Sequence, residues 1–216
     1  MADIKAYQPE SKSIGSGQVL QCPYSYDKAR LVVREMADQL SLELVDKGLV
    51  TDQLVLTAGY DIENLTDPER RKKYRGEIKT DRYGRAIPKH AHGTANLEGY
   101  TASTKRIVTA VLELFDRIID KNLLVRRFSL AATRVVSERS VPETADFEQM
   151  DLFTDYRAVQ EEKARESAAL EREKRMQRAV LDIKKRFGKN AILKGMNLEE
   201  GATAKDRNDT IGGHRA

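Results

Sequence analysis

The chain has 216 residues, of which 33% are charged and 40% hydrophobic, and its formal net charge is +4. Its only cysteine, Cys22, excludes a disulfide framework within the chain and favours a reducing, cytoplasmic setting. No apolar run approaches the ~20 residues that span a bilayer, and residues 1–12 hold no apolar signal core. We therefore expect one domain of ordinary size with solvated extensions.

Residue periodicity predicts six elements in the order strand, helix, strand, strand, helix, strand. They cover residues 15–22, 25–48, 51–62, 91–99, 101–122 and 122–138. Ser25 and Gly48 suit the start and the end of the first helix, and Leu54, Leu56 and Ala58 alternate with more polar residues as in a strand. The pattern predicts an α+β fold: a four-stranded antiparallel sheet in β-α-β-β-α-β order, with two helices on one face and the other face open.

Residues 67–89, between the second and third strands, are strongly basic. They hold nine Lys or Arg against four Asp or Glu, so this stretch carries more net charge than the whole chain. Turn-prone pairs such as Asp67-Pro68 and Tyr83-Gly84 predict a long hairpin loop. A phosphate backbone is the commonest partner of such a patch, although a solvated surface loop has the same composition.

The last third of the chain predicts extended segments. Residues 139–155 have the composition of a linker and include the apolar hexapeptide EQMDLF. Residues 156–190 are rich in Ala, Glu, Lys and Arg, which predicts a long charged helix. Residues 191–216 hold several Gly and Asn and few large apolar residues, which predicts a flexible tail. Residues 1–14 are polar and read as a linker from upstream domains.

Catalytic patterns are weak in this sequence. Gly15-Ser16-Gly17 lacks the third glycine of a nucleotide-binding loop. His90 and His92 alternate on a predicted strand, but no further Cys or His lies at ligand spacing, which favours two exposed histidines over a metal site. We therefore expect no catalytic residue and no metal ligand.

The open face of the predicted sheet is more informative than these motifs. It would present small donors, imidazoles and an arginine: Ser13, Ser16, His90, His92, Thr94, Asn96, Arg127, Ser129, Ala131 and Thr133. Such groups suit phosphate oxygens. The face offers no aromatic platform, so base stacking of single strands is not expected.

Five short segments, in order along the chain, carry a resemblance to a known family. They are residues 11–15 (SKSIG), 46–49 (DKGL), 89–94 (KHAHGT), 125–127 (VRR) and 194–198 (KGMNL). Together they resemble the C-terminal part of Y-family translesion DNA polymerases, in the Gram-positive branch related to the polymerase subunit of DNA polymerase V. The resemblance implies a little-finger domain over residues 15–138, whose sheet lies along duplex primer-template DNA.

The resemblance also implies a set of DNA contacts. Ser13 and Ser16 would contact the backbone near the first strand, and Arg126 and Arg127 near the last one. The open face adds four more candidates, Lys89, His90, His92 and Thr94. The family has a further basic residue where this chain has Ala131, so that contact is not expected here.

Catalysis in this family belongs to a palm domain, whose carboxylates bind Mg²⁺ upstream of the matched segment. The resemblance therefore implies a non-catalytic region of a DNA-directed DNA polymerase that acts in translesion synthesis, DNA repair and the SOS response. We expect this chain itself to need no cofactor.

The pentapeptide QMDLF, residues 149–153, is similar to the motif with which bacterial polymerases hold the sliding clamp. Leu152 and Phe153 would enter an apolar cleft, Met150 would fill an adjoining groove, and Gln149 would make directional hydrogen bonds, with Asp151 between them. Alternatively, these side chains cap the core of the domain. Two other functions stay open: a protein-interaction or regulatory module that does not bind DNA directly, and an enzyme with an unrecognised site.

Overall fold

A computed structural model describes residues 12–141, 156–211 and 214–215. In chain order the strands are β1 (Ile14–Tyr24), β2 (Leu49–Tyr60), β3 (Ile78–Thr80), β4 (Ala86–Pro88), β5 (Ala91–Thr101), β6 (Val125–Thr133), β7 (Val136–Ser137), β8 (Thr210–Ile211) and β9 (His214–Arg215). The α-helices are α1 (Tyr26–Lys47), α2 (Glu63–Thr66), α3 (Pro68–Lys73), α4 (Thr104–Ile118), α5 (Tyr156–Phe187) and α6 (Ala204–Asn208). Short 3-10 helices cover Glu138–Ser140 and Gly195–Leu198.

The main sheet has the strand order β1-β6-β2-β5, and every neighbouring pair is antiparallel. The short β7 adds to the start of β2. Leu54 of β2 lies beside Ala132 of β6 and Ala95 of β5, which fixes the register at the centre of the sheet. The predicted α+β fold is therefore confirmed, with all six predicted elements present.

Helices α1 and α4 cover one face of the sheet. Apolar residues recur at helical spacing, so they lie on one side of each helix, and that side is buried against the sheet. Val32, Met36 and Leu40 of α1 are examples. Gly48 ends α1 in the left-handed conformation, φ 63°, and its N–H is donated to the carbonyls of Leu44 and Val45. The Phe115 ring of α4 lies 6.4 Å from the Phe128 ring of β6, centroid to centroid, so the helices and the sheet share one core.

The connection between β2 and β5, residues 61–90, is called here the basic insertion. The prediction of one long hairpin loop over residues 67–89 is wrong for its first part, which forms the short helix α3; helix α2 lies just before that range. Asp67 starts α3 by accepting the N–H groups of Glu69 and Arg70, and Pro68 occupies the first turn. The hairpin that does form, β3 with β4, spans only Ile78 to Pro88.

The long helix α5 packs against the other helices, so α1, α4 and α5 are called the helix layer. Ser103 Oγ donates to Glu173 Oε2 at 2.7 Å, and the backbone N–H of Lys105 is donated to Glu173 Oε1 at 2.9 Å. The buried Gln177 donates to the Ala102 carbonyl at 3.0 Å. None of the described helices combines the length and the apolarity needed to cross a lipid bilayer.

The prediction of a flexible tail is wrong for residues 191–209, which belong to what we call the strap (residues 188–209). Glu35 of α1, only 2% exposed, accepts hydrogen bonds from the side chain of Asn197 and from the backbone N–H groups of Thr203 and Ala204. Met196 is buried beside them. The strap is thus fastened mainly by polar contacts, which hydrophobic periodicity does not reveal.

Candidate nucleic-acid interface

The face of the main sheet that the helices leave uncovered is called the open face. Residues paired across antiparallel strands point to the same side, and the buried Phe128, Leu130 and Ala132 of β6 mark the helix side. The register then assigns to the open face Gly15, Gly17, Val19, Gln53, Val55, Thr57, Gly59, His92, Thr94, Asn96, Arg127, Ser129, Ala131 and Thr133. This set holds no Phe, Tyr or Trp, so it offers a shallow polar surface rather than a stacking platform.

Arg127 is the cation of the open face. Its side chain lies against Gly59 of β2, where an added Cβ would be 2.5 Å from Nε and 2.6 Å from Cγ of the arginine. Glycine is therefore required for this close approach. Arg127 is exposed and forms no ion pair with any carboxylate in the described part of the chain. Its guanidinium is thus available to an external anion such as a phosphate.

Two histidines line the β5 side of the same surface. Thr57 Oγ1 and His92 Nδ1 are hydrogen-bonded at 2.9 Å, and the His90 and His92 rings meet edge to face with centroids 6.5 Å apart. Burial lowers the pKa of His90, and the nearby charges of Lys79, His92 and Arg127 lower it further. His90 is therefore mainly neutral at pH 7, and a bound anion would favour its protonated form.

At the other end of the open face, side chains on three strands are hydrogen-bonded in a row. Gln53 Nε2 donates to Asn96 Oδ1 at 2.9 Å, and Thr133 Oγ1 donates to Gln53 Oε1 at 2.9 Å. These bonds hold the polar side chains in defined orientations across β5, β2 and β6. Side-chain hydrogen bonds therefore orient polar groups at both ends of the open face.

Comparison with known proteins assigns the family. The model of the impB/mucB/samB family C-terminal domain matches residues 11–152, well over half of the chain. The chain belongs to this family. The match confirms the resemblance to the little-finger domain of Y-family polymerases.

The search of solved structures gives a likeness at low sequence identity. This impB/mucB/samB domain is similar to the chain in the "Complex of beta-clamp processivity factor and little finger domain of PolIV", with a TM-score of 0.36 and 8% identity. The likeness covers 66% of this chain and 100% of that chain. No curated protein matches the chain.

The predicted DNA-binding residues of this impB/mucB/samB domain are only partly brought together. His92, Thr94 and Arg127 share the open face, and the exposed His90 lies at its margin, just before β5. Lys89 lies beside His90, but its Nζ is 2.7 Å from Glu77 Oε2, and this partner raises the pKa of the lysine. The single residue Arg127 therefore dominates the charge of the open face.

The two predicted serines do not share a face. Ser16 is exposed but pairs with Leu130, whose side chain is buried under the helices, so Ser16 points to the helix side of the edge strand. Its placement on the open face was wrong, because residues 13 and 16 differ by an odd number and alternate sides along a strand. Ser13 precedes β1 and is exposed.

Arg126 lies in a β-bulge, where the register of β6 shifts between Val125 and Arg127. Its Nη1 donates to the Gln21 carbonyl at 3.0 Å, and its Nε lies 3.7 Å from Asp61 Oδ2. Bulges re-aim side chains, and here the bulge separates two arginines that are adjacent in sequence. Arg126 is partly engaged within the protein, whereas Arg127 is not.

Three residues of the site were not among the predicted DNA-binding residues. Gly59, Gln53 and Thr57 of β2 complete the open face, and a glycine within a strand pattern was the available signal for close approach of another group. The pentapeptide QMDLF, residues 149–153, lies outside the described residues. Within the described part of the chain, no group of three His, Cys, Asp or Glu side chains is arranged to hold a metal ion.

Proposed function

We propose that this domain binds duplex DNA and the sliding clamp as a non-catalytic part of a Y-family translesion DNA polymerase. The observation that carries the DNA part is the open face, a preorganised polar surface with an unpaired arginine and no aromatic platform. Such a surface suits the phosphate backbone of a duplex, which is recognised through arginine, hydroxyl and amide donors without reading sequence.

A salt titration of binding to a labelled duplex of mixed sequence tests this proposal. Each phosphate contact contributes about 0.9 to the slope of log affinity against log salt. Arg127→Ala should therefore lower the slope by about 0.9. Arg172→Ala provides the matched control, because Arg172 is an exposed arginine of α5 in the helix layer. Weak binding at every salt concentration would instead favour a protein-interaction module without DNA.

The clamp part of the proposal rests on the pentapeptide QMDLF. Apolar anchors dominate the binding energy of small interfaces, so replacing Leu152 and Phe153 together by Ala should abolish binding to a purified bacterial clamp. Duplex affinity should stay unchanged. The melting temperature separates this role from core packing, because truncating two buried side chains of this size costs on the order of 5 kcal/mol or more.

The proposal assigns nucleotide incorporation to other domains of the parent polymerase, which would use Mg²⁺. Primer extension with this chain, Mg²⁺ and all four nucleotides should give no product. Extension above a no-protein control would show an active site in the chain itself and would overturn this part of the proposal.

A further inference from the structure

The basic insertion contains more positive charge than its own carboxylates neutralise. Several of its cations have close partners: Lys72 Nζ lies 2.9 Å from Glu69, Arg85 Nη2 lies 2.7 Å from Asp81, Lys89 lies 2.7 Å from Glu77, Lys79 lies 3.9 Å from Glu77 and Arg70 lies 4.0 Å from Glu63. In the hairpin, Lys79 and Lys89 share Glu77, and the exposed Arg82 lies over the Tyr83 ring without a carboxylate partner among the described residues.

Three of the four cations without such a partner, Arg71, Lys73 and Arg75, lie within five consecutive residues. All three are exposed, and none forms an ion pair with a carboxylate among the described residues. Three like charges within five residues repel one another in the free protein. These cations are thus available to an external anion that would relieve their repulsion.

The segment that carries the three cations is anchored rather than free. Asn64 is fully buried; it donates to the carbonyls of Asp61 and Leu124 and accepts the N–H of Leu124 at 2.8 Å. Tyr74, between Lys73 and Arg75, packs against the core, and its hydroxyl donates to the Glu77 carbonyl at 2.8 Å. The cations are therefore held in place, which lowers the entropic cost of ordering them on a ligand.

The anchor also attaches the start of the insertion at the end of the main sheet where Arg127 lies. Asp61 Oδ1 accepts the N–H of Glu63 at 2.8 Å, while Asp61 Oδ2 lies 3.7 Å from Arg126 Nε. Leu124, which bonds to Asn64, immediately precedes β6, the strand of Arg127. The insertion thus adds positive charge at the end of the sheet where Arg127 lies, with Lys73 and Arg75 near Asn122 and Leu123 of the connection before β6.

We propose that Arg71, Lys73 and Arg75 bind phosphates of the DNA duplex beyond the stretch covered by the open face. Five consecutive residues span at most about 14 Å, which corresponds to roughly four phosphates of one strand at 3.4 Å each. The insertion therefore lengthens the footprint along the backbone without reading bases. This inference rests on the proposed DNA binding of the open face.

The test compares two variants with the same change of charge. The first replaces Arg71, Lys73 and Arg75 by Gln, and the second replaces Arg172, Arg175 and Arg178 of α5 by Gln. The α5 arginines are also exposed and also lack ion pairs with described carboxylates, but they lie in the helix layer. The insertion variant should lower the salt slope by about 2.7, for three phosphate contacts at about 0.9 each. The α5 variant should leave the slope close to that of the unaltered chain.

Hydroxyl-radical footprinting on an end-labelled duplex gives a second readout. The insertion variant should lose protection at one margin of the footprint and keep the rest. An insertion variant that matches the α5 variant in both assays, while Arg127→Ala lowers the slope, overturns this inference alone. If the unaltered chain shows no salt-dependent duplex binding, the proposed function and this inference fail together.

Discussion

Glu35 allows the docking of the strap to be tested by one substitution. Its Oε1 accepts from Asn197 Nδ2 at 2.7 Å, and its Oε2 accepts from the N–H groups of Thr203 and Ala204 at 2.8 and 3.0 Å. Burial lowers the pKa of Arg207, and the charge of Glu35 opposes that effect. Thr203 Oγ1 donates a fourth hydrogen bond to Oε2 at 3.2 Å. Glu35→Ala therefore removes the acceptor of four hydrogen bonds from the strap and a charge that favours the charged form of Arg207.

The size of the effect follows from these contacts. Hydrogen bonds to a charged group contribute about 1.5–3 kcal/mol each, and removing one partner of a buried charged network costs about 3–5 kcal/mol. The strap can escape the full penalty by undocking while the sheet stays folded. We therefore expect local opening of the strap to become easier by about 3 kcal/mol, which is roughly a hundred-fold.

Hydrogen exchange of peptides covering residues 195–208 measures this opening. Glu43→Ala is the control, because Glu43 lies on the same helix but makes only an exposed pair with Lys47 at 2.6 Å, worth about 0.3–0.5 kcal/mol. Exchange in the strap should accelerate in Glu35→Ala alone. Equal protection in both variants would refute the docking of the strap through Glu35.

Three further predictions concern the open face and the helix layer. Gly59→Ala should displace the Arg127 side chain and thus weaken duplex binding as Arg127→Ala does, while the melting temperature stays nearly unchanged. Normal duplex affinity in this variant would show that the position of Arg127 does not matter. Duplex affinity should rise as the pH falls from 7 to 5, because phosphate favours protonation of His90, whose pKa lies below 6.5. His90→Gln should flatten this rise. An equal rise in the unaltered chain and in the variant would contradict this role of His90. The Arg30 guanidinium donates to Asp116 and holds the pKa of that carboxyl below 3.8. The pair therefore stabilises the fold at neutral pH, and this stabilisation is lost as the pH falls through the lowered pKa. Asp116→Asn should lower the melting temperature at pH 7 and make it fall less as the pH drops from 7 to 3. If the melting temperatures of the variant and of the unaltered chain fall in parallel over this range, the prediction is contradicted.

The sheet could be predicted because alternation along a strand encodes which side is buried. Leu54, Leu56 and Ala58 alternate with open-face residues, and a shift of one position would expose all three to water. The same rule assigns Thr94 and Arg127 to the open face. Strand periodicity therefore fixed most of the candidate surface before any contact was known.

The rest could not be predicted, because it depends on contacts between distant residues. The side to which Ser16 points depends on its pairing with Leu130, more than a hundred residues later. The strap contains few apolar residues, so its docking depends on Glu35, which local periodicity cannot identify as its partner. The bulge at Arg126 likewise leaves no mark in the pattern of the strand.

Glu138 and Val141, near the end of the described residues before the pentapeptide, bear on how DNA and clamp could be bound together. Glu138 accepts from Lys174 of α5 at 2.5 Å, and Val141 lies near Leu170 of the same helix. Glu138 and Val141 therefore lie against the helix layer, as does Glu173 of α5. The open face with Arg127 lies on the opposite side of the sheet. If the domain binds clamp and duplex as proposed, both should bind at once, because the last described residues before the pentapeptide lie on the side of the sheet away from Arg127. Purified clamp should then retard the domain–duplex complex further in a gel, whereas release of the duplex by clamp would contradict this.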